Sequence, residues 1–330
     1  MFGLIRKALR PQLQRSPWLS RLFKPPQDPE STEPPHPSSE DANIANHSVP
    51  GGFHPVSLDD KFNSGKYTVL RKLGYGRFST VWLARDSEAE KFVALKILRA
   101  DCYDGKKDIF ESEILSKITQ QSEKSTHPGR RHVSSLLDTF KHEGPNGNHV
   151  CYVFDVLGHN LGHHTWQFER ARIPFRSVKL ITKQVLLALD FLHTECGVIH
   201  TDLQPSNMLL ELENPEGAIK KYLYETSPRI HPKNGALLHE AISTSDIDTI
   251  KEPRIRLIDY GVWNLLEGRK PITISWKELL DGPPPLDRPE GMSDSEVSAY
   301  IDFLSNILVI DPSRRKTAAQ LLQHEWLQNA

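Results

Sequence analysis

The segment that decides the fold is residues 199–207, IHTDLQPSN, which is followed directly by three apolar residues. Asp202 and Asn207 lie in this one short segment, so a carboxylate and a carboxamide are close together along the chain. A carboxylate can accept a proton from a hydroxyl group, and a carboxamide oxygen can bind a hard cation such as Mg²⁺. These residue types make Asp202 a candidate catalytic residue and Asn207 a candidate metal ligand.

A second metal ligand is predicted further along the chain. Residues 255–261 read IRLIDYG, which is typical of a strand that ends in an aspartate just before a glycine. Asp259 at this position suits a metal ion that bridges terminal phosphates. An Asp-x-Gly tripeptide alone is more often only a turn.

A candidate phosphate-binding loop lies nearer the N-terminus, where residues 73–81, LGYGRFSTV, join two predicted strands. Glycines at Gly74 and Gly76 would let backbone N–H groups approach phosphate oxygens closely. Ser79 replaces the third glycine of the G-x-G-x-x-G pattern, and a glycine pair between strands is usually a plain hairpin. The predicted nucleotide contacts in this loop are Leu73, Gly74, Tyr75, Gly76, Arg77, Phe78, Ser79 and Val81.

A lysine at the end of the next apolar strand adds a positive charge to these candidate site residues. Lys96 could pair with nucleotide phosphates, although an edge lysine is the plainer interpretation. A buried lysine needs a carboxylate partner, which we expect on the following helix. We choose Glu113 as a catalytic partner because Ile114 and Leu115 follow it immediately, and Glu111 is the competing candidate. The order of these signals along the chain is far more specific than any one of them.

The pattern of apolar residues predicts an α+β fold. Short β-prone runs between residues 67 and 97 predict three antiparallel strands, and residues 150–156 predict another. Helical spacing over residues 109–118 predicts one helix beside this small sheet. A long amphipathic helix over residues 178–192, ending near Gly197, opens a second and mainly helical region.

Domain boundaries follow from composition. We expect residues 28–60 to be a disordered linker, because they are rich in Pro, Ser and acids and poor in large apolar residues. We place the domain at residues 66–327, with its lobes at 66–157 and 158–327. The polar residues 211–254 are predicted to be a surface insertion that folds only partly.

The first 27 residues form a basic arm with no acidic residue and with interspersed apolar residues. This pattern resembles a mitochondrial presequence. Pro11 and Pro17 would interrupt a helix, so a disordered basic arm is an equal alternative.

Composition excludes several classes of function. Lys plus Arg total 41 against 42 for Asp plus Glu, so the chain has no net positive charge that would attract nucleic acid. We therefore expect no direct nucleic-acid partner. Three cysteines without CxxC spacing argue against a disulfide framework or a zinc site. No apolar stretch is long enough to predict a transmembrane segment.

With these motifs in place, the sequence resembles the protein kinase superfamily, and within it the SR-protein kinases, which phosphorylate arginine/serine-rich splicing factors. The resemblance rests on residues 73–83, on IHTD at 199–202, and on a hinge-like VFDVLGHNL at 153–161. It implies a bilobal kinase-like fold, ATP and Mg²⁺ as cofactors, and a protein substrate. It also implies that Phe154 is the gatekeeper and that Asp155 and Leu157 belong to the segment that meets adenine.

This resemblance has limits. After Gly261 neither an activation segment nor the bracing helix of the helical lobe can be found, and the glutamate that would pair with Arg315 is missing with them. We interpret this as a deletion in an ancestral complete kinase, which leaves a shortened C-lobe. The acidic groove that selects arginine-rich peptides belongs to the same region, so the substrate stays open.

Two substitutions in the catalytic loop also depart from common kinases. Thr201 stands in place of an arginine, which makes control by a phosphorylated activation loop less expected. Gln204 replaces a lysine that steadies the transferring phosphate, so transfer should be slower. The alternative function is a nucleotide-binding pseudokinase or scaffold. The resemblance favours the cytoplasm and nucleus, and the basic arm leaves the mitochondrion open.

Overall fold

The computed structural model describes residues 49–102, 111–165, 173–228, 253–260, 292–309 and 314–328, together with Ile230, Leu237 and Ile242. Predictions on residues 1–27, on the linker up to residue 48, on most of 229–252 and on the region 261–291 lie outside these residues.

Six antiparallel strands form one sheet with the spatial order β1-β2-β3-β4-β6-β5. The strands are β1 (Lys61–Phe62), β2 (Tyr67–Tyr75), β3 (Ser79–Asp86), β4 (Lys91–Leu98), β5 (Asp138–Gly144) and β6 (Gly147–Phe154). Side chains alternate along β6, so that Tyr152 faces the core shared with the helices and Val153 faces a second core on the other side of the sheet. The predicted strands are confirmed as β2, β3, β4 and β6, whereas β1 and β5 were not predicted.

The sheet packs on helix α1 (Glu111–Lys124), which buries Leu115 and Ile118. Helix α2 (Leu161–Thr165) follows the sheet, and helix α3 (Phe175–Phe191) buries a stripe that includes Val185 and Ala188. A π turn extends α3 to Gly197, whose φ of 60° lies in the left-handed region that glycine enters at little cost. The predicted amphipathic helix and its end near Gly197 are confirmed.

The rest of the helical lobe follows α3. Its elements are β7 (Met208–Leu210), α4 (Pro215–Glu225), β8 (Ile255–Leu257), α5 (Asp294–Ile307), α6 (Ala318–Leu322) and α7 (Glu325–Gln328). Trp326 of α7 packs against Phe303 and Tyr300 of α5, with ring centroids 4.8 and 4.9 Å apart. The α+β fold class, a small antiparallel sheet followed by a mainly helical lobe, is confirmed.

The predicted linker is too long. Phe53 and His54 are buried, and the backbone of Gly51 donates to Asn146 O at 2.8 Å. Residues 49–60 therefore belong to the folded domain, although the prediction placed them in a disordered linker and began the domain at residue 66. The error arose because a few buried residues in a polar stretch leave no periodic pattern to detect.

The start of the predicted insertion is also more ordered than expected. Pro215–Glu225 form α4, and Asn214 caps its N-terminus with a side chain that accepts a hydrogen bond from Gly217 N. Ile219 and Tyr222 of this helix are buried in a cluster with Leu83 of β3.

Arg315, predicted to have lost its glutamate partner, donates from Nε to Val309 O at 2.8 Å. Among the described residues, no helix is long and apolar enough to cross a membrane.

Candidate active site

A two-stranded ladder brings the catalytic loop and the Asp-x-Gly segment together. Strand β7 pairs antiparallel with β8, with Met208 opposite Leu257. Ile258 N donates to Asn207 O at 3.0 Å, so Asn207 and Asp259 leave the same end of the ladder. The two predicted metal ligands, far apart in sequence, therefore share one site.

A buried glutamine of α3 anchors this ladder. Gln184 donates through Nε2 to Pro253 O at 2.7 Å and accepts through Oε1 from Ile255 N at 2.9 Å. Both polar ends of a buried amide are thus satisfied, which fixes the start of β8. A glutamine on a helix gives no sequence signal for this function.

The catalytic loop is organised around the side chain of Asp202. Its Oδ2 atom accepts hydrogen bonds from Asn207 Nδ2 at 2.9 Å and from Gln204 Nε2 at 2.8 Å. Asn207 Nδ2 also donates to Asp202 O at 2.9 Å. The carboxylate is thereby held in one orientation relative to Asn207.

His200 and Tyr260 form the buried floor beneath the loop. His200 Nε2 donates to Ile258 O at 3.1 Å, and the His200 and Tyr260 rings meet edge to face with centroids 5.3 Å apart. Burial lowers the pKa of His200, against the opposing effect of its bond to Ile258. A neutral His200 therefore supports the loop without adding charge to the site.

Lys96 pairs with Glu111 and not with Glu113. Lys96 Nζ lies 2.5 Å from Glu111 Oε1 and 3.3 Å from Asp259 Oδ1. Burial alone would lower the pKa of Lys96, but the two carboxylates outweigh it and raise that pKa, so the side chain stays charged. The choice of Glu113 was wrong, because Glu113 lies on the exposed face of α1 while Glu111 is buried.

The glycine-rich loop is a tight connection between β2 and β3, closed by a hydrogen bond from Gly76 N to Ser79 O at 2.8 Å. A Cβ atom built on Gly74 would meet nothing within 4 Å, and one built on Gly76 would meet only Ser79 Oγ at 3.8 Å. The fold itself therefore does not require glycine at these positions. The open space fits the close approach of a ligand to the backbone.

A cavity of about 460 Å³ lies between the loop and the helical lobe. Lys96 is the one lysine or arginine among its described lining residues, against three carboxylates. Predicted site residues that line it are Leu73, Gly74, Tyr75, Gly76, Ser79, Val81, Lys96, Phe154, Asp155, Leu157, Asn207 and Asp259. Arg77 and Phe78, at the exposed tip of the loop, and Asp202 do not line it. Lining residues that were not predicted include Ala94, Ser134, Ser206, Leu209, Ile242 and Tyr260.

Two residues of the site have a left-handed backbone. Thr201 has φ of 56° and Asp259 has φ of 64°. A positive φ is costly for a β-branched residue such as threonine and is tolerated better by aspartate. Such conformations cluster where function constrains the chain.

The donor set fits a magnesium ion. No cluster of three or more His, Cys, Asp or Glu side chains that could hold a metal occurs among the described residues. Magnesium, however, is usually bound through one or two protein oxygens together with substrate phosphates. Asp259 offers a carboxylate, and because both donor contacts of the Asn207 amide go to Asp202, its Oδ1 oxygen is left to act as a ligand.

Comparisons with known proteins identify related sequences. The model of the protein kinase domain family matches residues 67–327. Protein kinase dsk1 of Schizosaccharomyces pombe is 50% identical over 160 residues, which are 48% of this chain and 29% of that protein. SRSF protein kinase 3 of Homo sapiens is 44% identical over 160 residues, which are 48% of this chain and 28% of that protein. The matches therefore span less than a third of the length of either relative.

Solved structures show the same fold. A crystal structure of a kinase domain aligns with a TM-score of 0.54 at 19% identity, covering 84% of this chain and 99% of that one. At this identity the likeness concerns the fold alone.

Proposed function

Because this chain belongs to the protein kinase family, we propose that it transfers the terminal phosphate of ATP to serine hydroxyl groups of proteins, as SR-protein kinases do. The observation that carries the proposal is one connected site, in which Lys96 is paired with Glu111 and Asp259, and Asp202 is bonded to Asn207. These are the charges and donors that phosphoryl transfer needs, since its catalysis is mostly positioning and charge stabilisation.

The nucleotide would occupy the cavity of about 460 Å³. Adenine would lie against Asp155 and Leu157, and the phosphates under Gly74 and Gly76. Lys96, held by Glu111, would orient the phosphates, while Asn207 and Asp259 would hold magnesium. When bound, the metal ion would neutralise charge on the terminal phosphates.

Asp202 would orient the acceptor hydroxyl and take up its proton. In this step the seryl oxygen forms a bond to the γ-phosphorus, the bond from that phosphorus to the bridging oxygen of ADP breaks, and the proton passes to the Asp202 carboxylate. Oδ1 of Asp202 is the oxygen available for this contact, because it receives no hydrogen bond from any residue that the structure describes.

The relatives support the proposed substrate class. One relative is named an SRSF protein kinase, and the catalytic-loop motif IHTD resembles that of SR-protein kinases. We therefore propose serines in arginine/serine-rich proteins as the acceptors.

The test is transfer of labelled phosphate from ATP to an arginine/serine-repeat peptide by the purified chain. We expect transfer by the wild type, none to a peptide with Ser replaced by Ala, and a fall of roughly a hundredfold or more with Asp202→Asn. Magnesium-dependent ATP binding without transfer to any peptide would contradict the proposal and favour a pseudokinase. Equal transfer by Asp202→Asn would remove Asp202 from the mechanism.

A further inference from the structure

The glutamine in the catalytic loop has a bonding partner that its residue type alone does not reveal. Gln204 Nε2 lies 2.8 Å from Asp202 Oδ2. An ionised carboxylate can only accept hydrogen bonds, so the amide must present its NH₂ group to it. We propose that Gln204 is a positioning residue for phosphoryl transfer, which fixes the carboxylate of Asp202 together with Asn207. This inference rests on the proposed function.

The two oxygens of the Asp202 carboxylate differ in their contacts. Gln204 and Asn207 both donate to Oδ2, at 2.8 and 2.9 Å. Two donors from the residues that follow Asp202 leave the carboxylate little freedom to rotate about its last bond. Oδ1 is thereby presented as the free acceptor for a substrate hydroxyl.

The surroundings of Asp202 restrain its side chain only weakly. Asn207 is buried and is held by its backbone bond to Gln204 O at 2.9 Å. Asp202 is only partly buried, and it follows Thr201, which has an unfavourable left-handed backbone. A carboxylate in a partly exposed loop would rotate readily if a single donor held it.

Gln204 carries no charge that could neutralise a phosphate, and it does not line the cavity, so its amide is not placed to donate to a phosphate there. Lys96 is the one cation among the described lining residues of the cavity. The contribution of Gln204 is therefore geometric. Misplacing a catalytic group by about 1 Å can cost on the order of a hundredfold in rate.

The experiment measures steady-state transfer by the full chain to the arginine/serine-repeat peptide. For Gln204→Leu we expect kcat to fall roughly ten- to a hundredfold, with the KM for ATP unchanged because Gln204 does not line the cavity. Gln204→Lys keeps a donor that can reach Asp202 and should retain kcat at or above the wild-type value. Gln204 is exposed, so neither change should unfold the protein. Gln323→Leu, at an exposed position outside the site, is the matched control and should behave as the wild type.

The possible results distinguish the positioning role of Gln204 from the proposed function. Wild-type kcat in Gln204→Leu, an equal fall in Gln204→Lys, or a rise in peptide KM without a fall in kcat would each overturn the positioning role while leaving the kinase assignment intact. Absence of transfer by the wild type and every variant would overturn the proposed function, and the role of Gln204 with it.

Discussion

At the scale of single residues, the Lys96 partner shows what sequence could and could not provide. The sequence predicted a carboxylate on the helix after β4 and left Glu111 and Glu113 as candidates. Which of them faces Lys96 depends on the angle at which α1 packs on the sheet. Glu111 shares its face with the buried Leu115 and Ile118, at i, i+4 and i+7 spacing, whereas the choice of Glu113 relied on adjacency to Ile114 and Leu115 and not on this spacing.

The two glutamates of α1 provide a matched pair for mutation. Glu111→Gln leaves buried Lys96 with Asp259 as its remaining carboxylate partner, so kcat/KM for ATP should fall roughly tenfold or more. Glu113→Gln changes an exposed side chain and should leave it unchanged. Steady-state kinetics of both variants would check this, and a larger loss for Glu113→Gln would reverse our assignment.

The positions of the other candidate site residues were predictable because these residues lie in local motifs. Asp202 and Asn207 lie in one short segment, and an insertion separates that segment from Asp259, yet each of the two segments has its own recognisable pattern. Gln184 of α3 holds the start of β8 in place, and Tyr260, within the Asp-x-Gly segment, packs against His200 beneath the catalytic loop. The structural role of these two residues depends on tertiary contacts, so local sequence patterns did not identify it.

At the scale of secondary-structure elements, the insertion helix α4 is the main revision. Polar composition and several prolines predicted an irregular stretch. The buried face of α4 consists of only Ile219 and Tyr222, which is too few positions to establish a periodic pattern. Strand β5 escaped prediction for a related reason, because its residues are mostly polar and pair with only one neighbour.

We predict that α4 is part of the stable domain. Ile219→Ala should reduce the free energy of unfolding by about 2–4 kcal/mol, because Ile219 is buried beside Leu83 of the sheet. Tyr224→Ala, on a side chain that is 92% exposed, should change it little. Denaturant unfolding of both variants is the measurement, and equal stability of the two would mean that α4 does not dock on the sheet.

At the scale of the whole molecule, buried histidines make stability depend on pH. Burial lowers the pKa of His132, His142, His149 and His200. As the pH falls, these histidines take up protons near pH 6.5 in the unfolded chain, whereas in the folded chain they do so only at lower pH. Their stabilising contribution is therefore complete above about pH 6.5 and is lost as the pH falls through the lowered pKa values.

His149 offers a direct check of this dependence. Its Nδ1 donates to Leu98 O at 2.8 Å, and its buried Nε2 has no partner among the described residues, so protonation would place an unpaired charge in the core. We expect the unfolding temperature to fall between pH 7 and pH 5, and to fall less in His149→Asn. An unfolding temperature that does not change over this range would show that these histidines titrate alike in both states.

The central claim at this scale is that the sheet lobe and the helical lobe meet at one magnesium and ATP site. The direct measurement is calorimetric titration of the chain with ATP, with and without Mg²⁺, for the wild type, Asp259→Asn and Asp59→Asn. Asp59 is a matched control, since it is exposed and has a left-handed φ of 65°, close to the 64° of Asp259. We predict saturable ATP binding that Mg²⁺ tightens in the wild type and in Asp59→Asn, and loss of that tightening in Asp259→Asn. ATP affinity that changes neither with Mg²⁺ nor with Asp259→Asn, or no ATP binding at all, would contradict the claim.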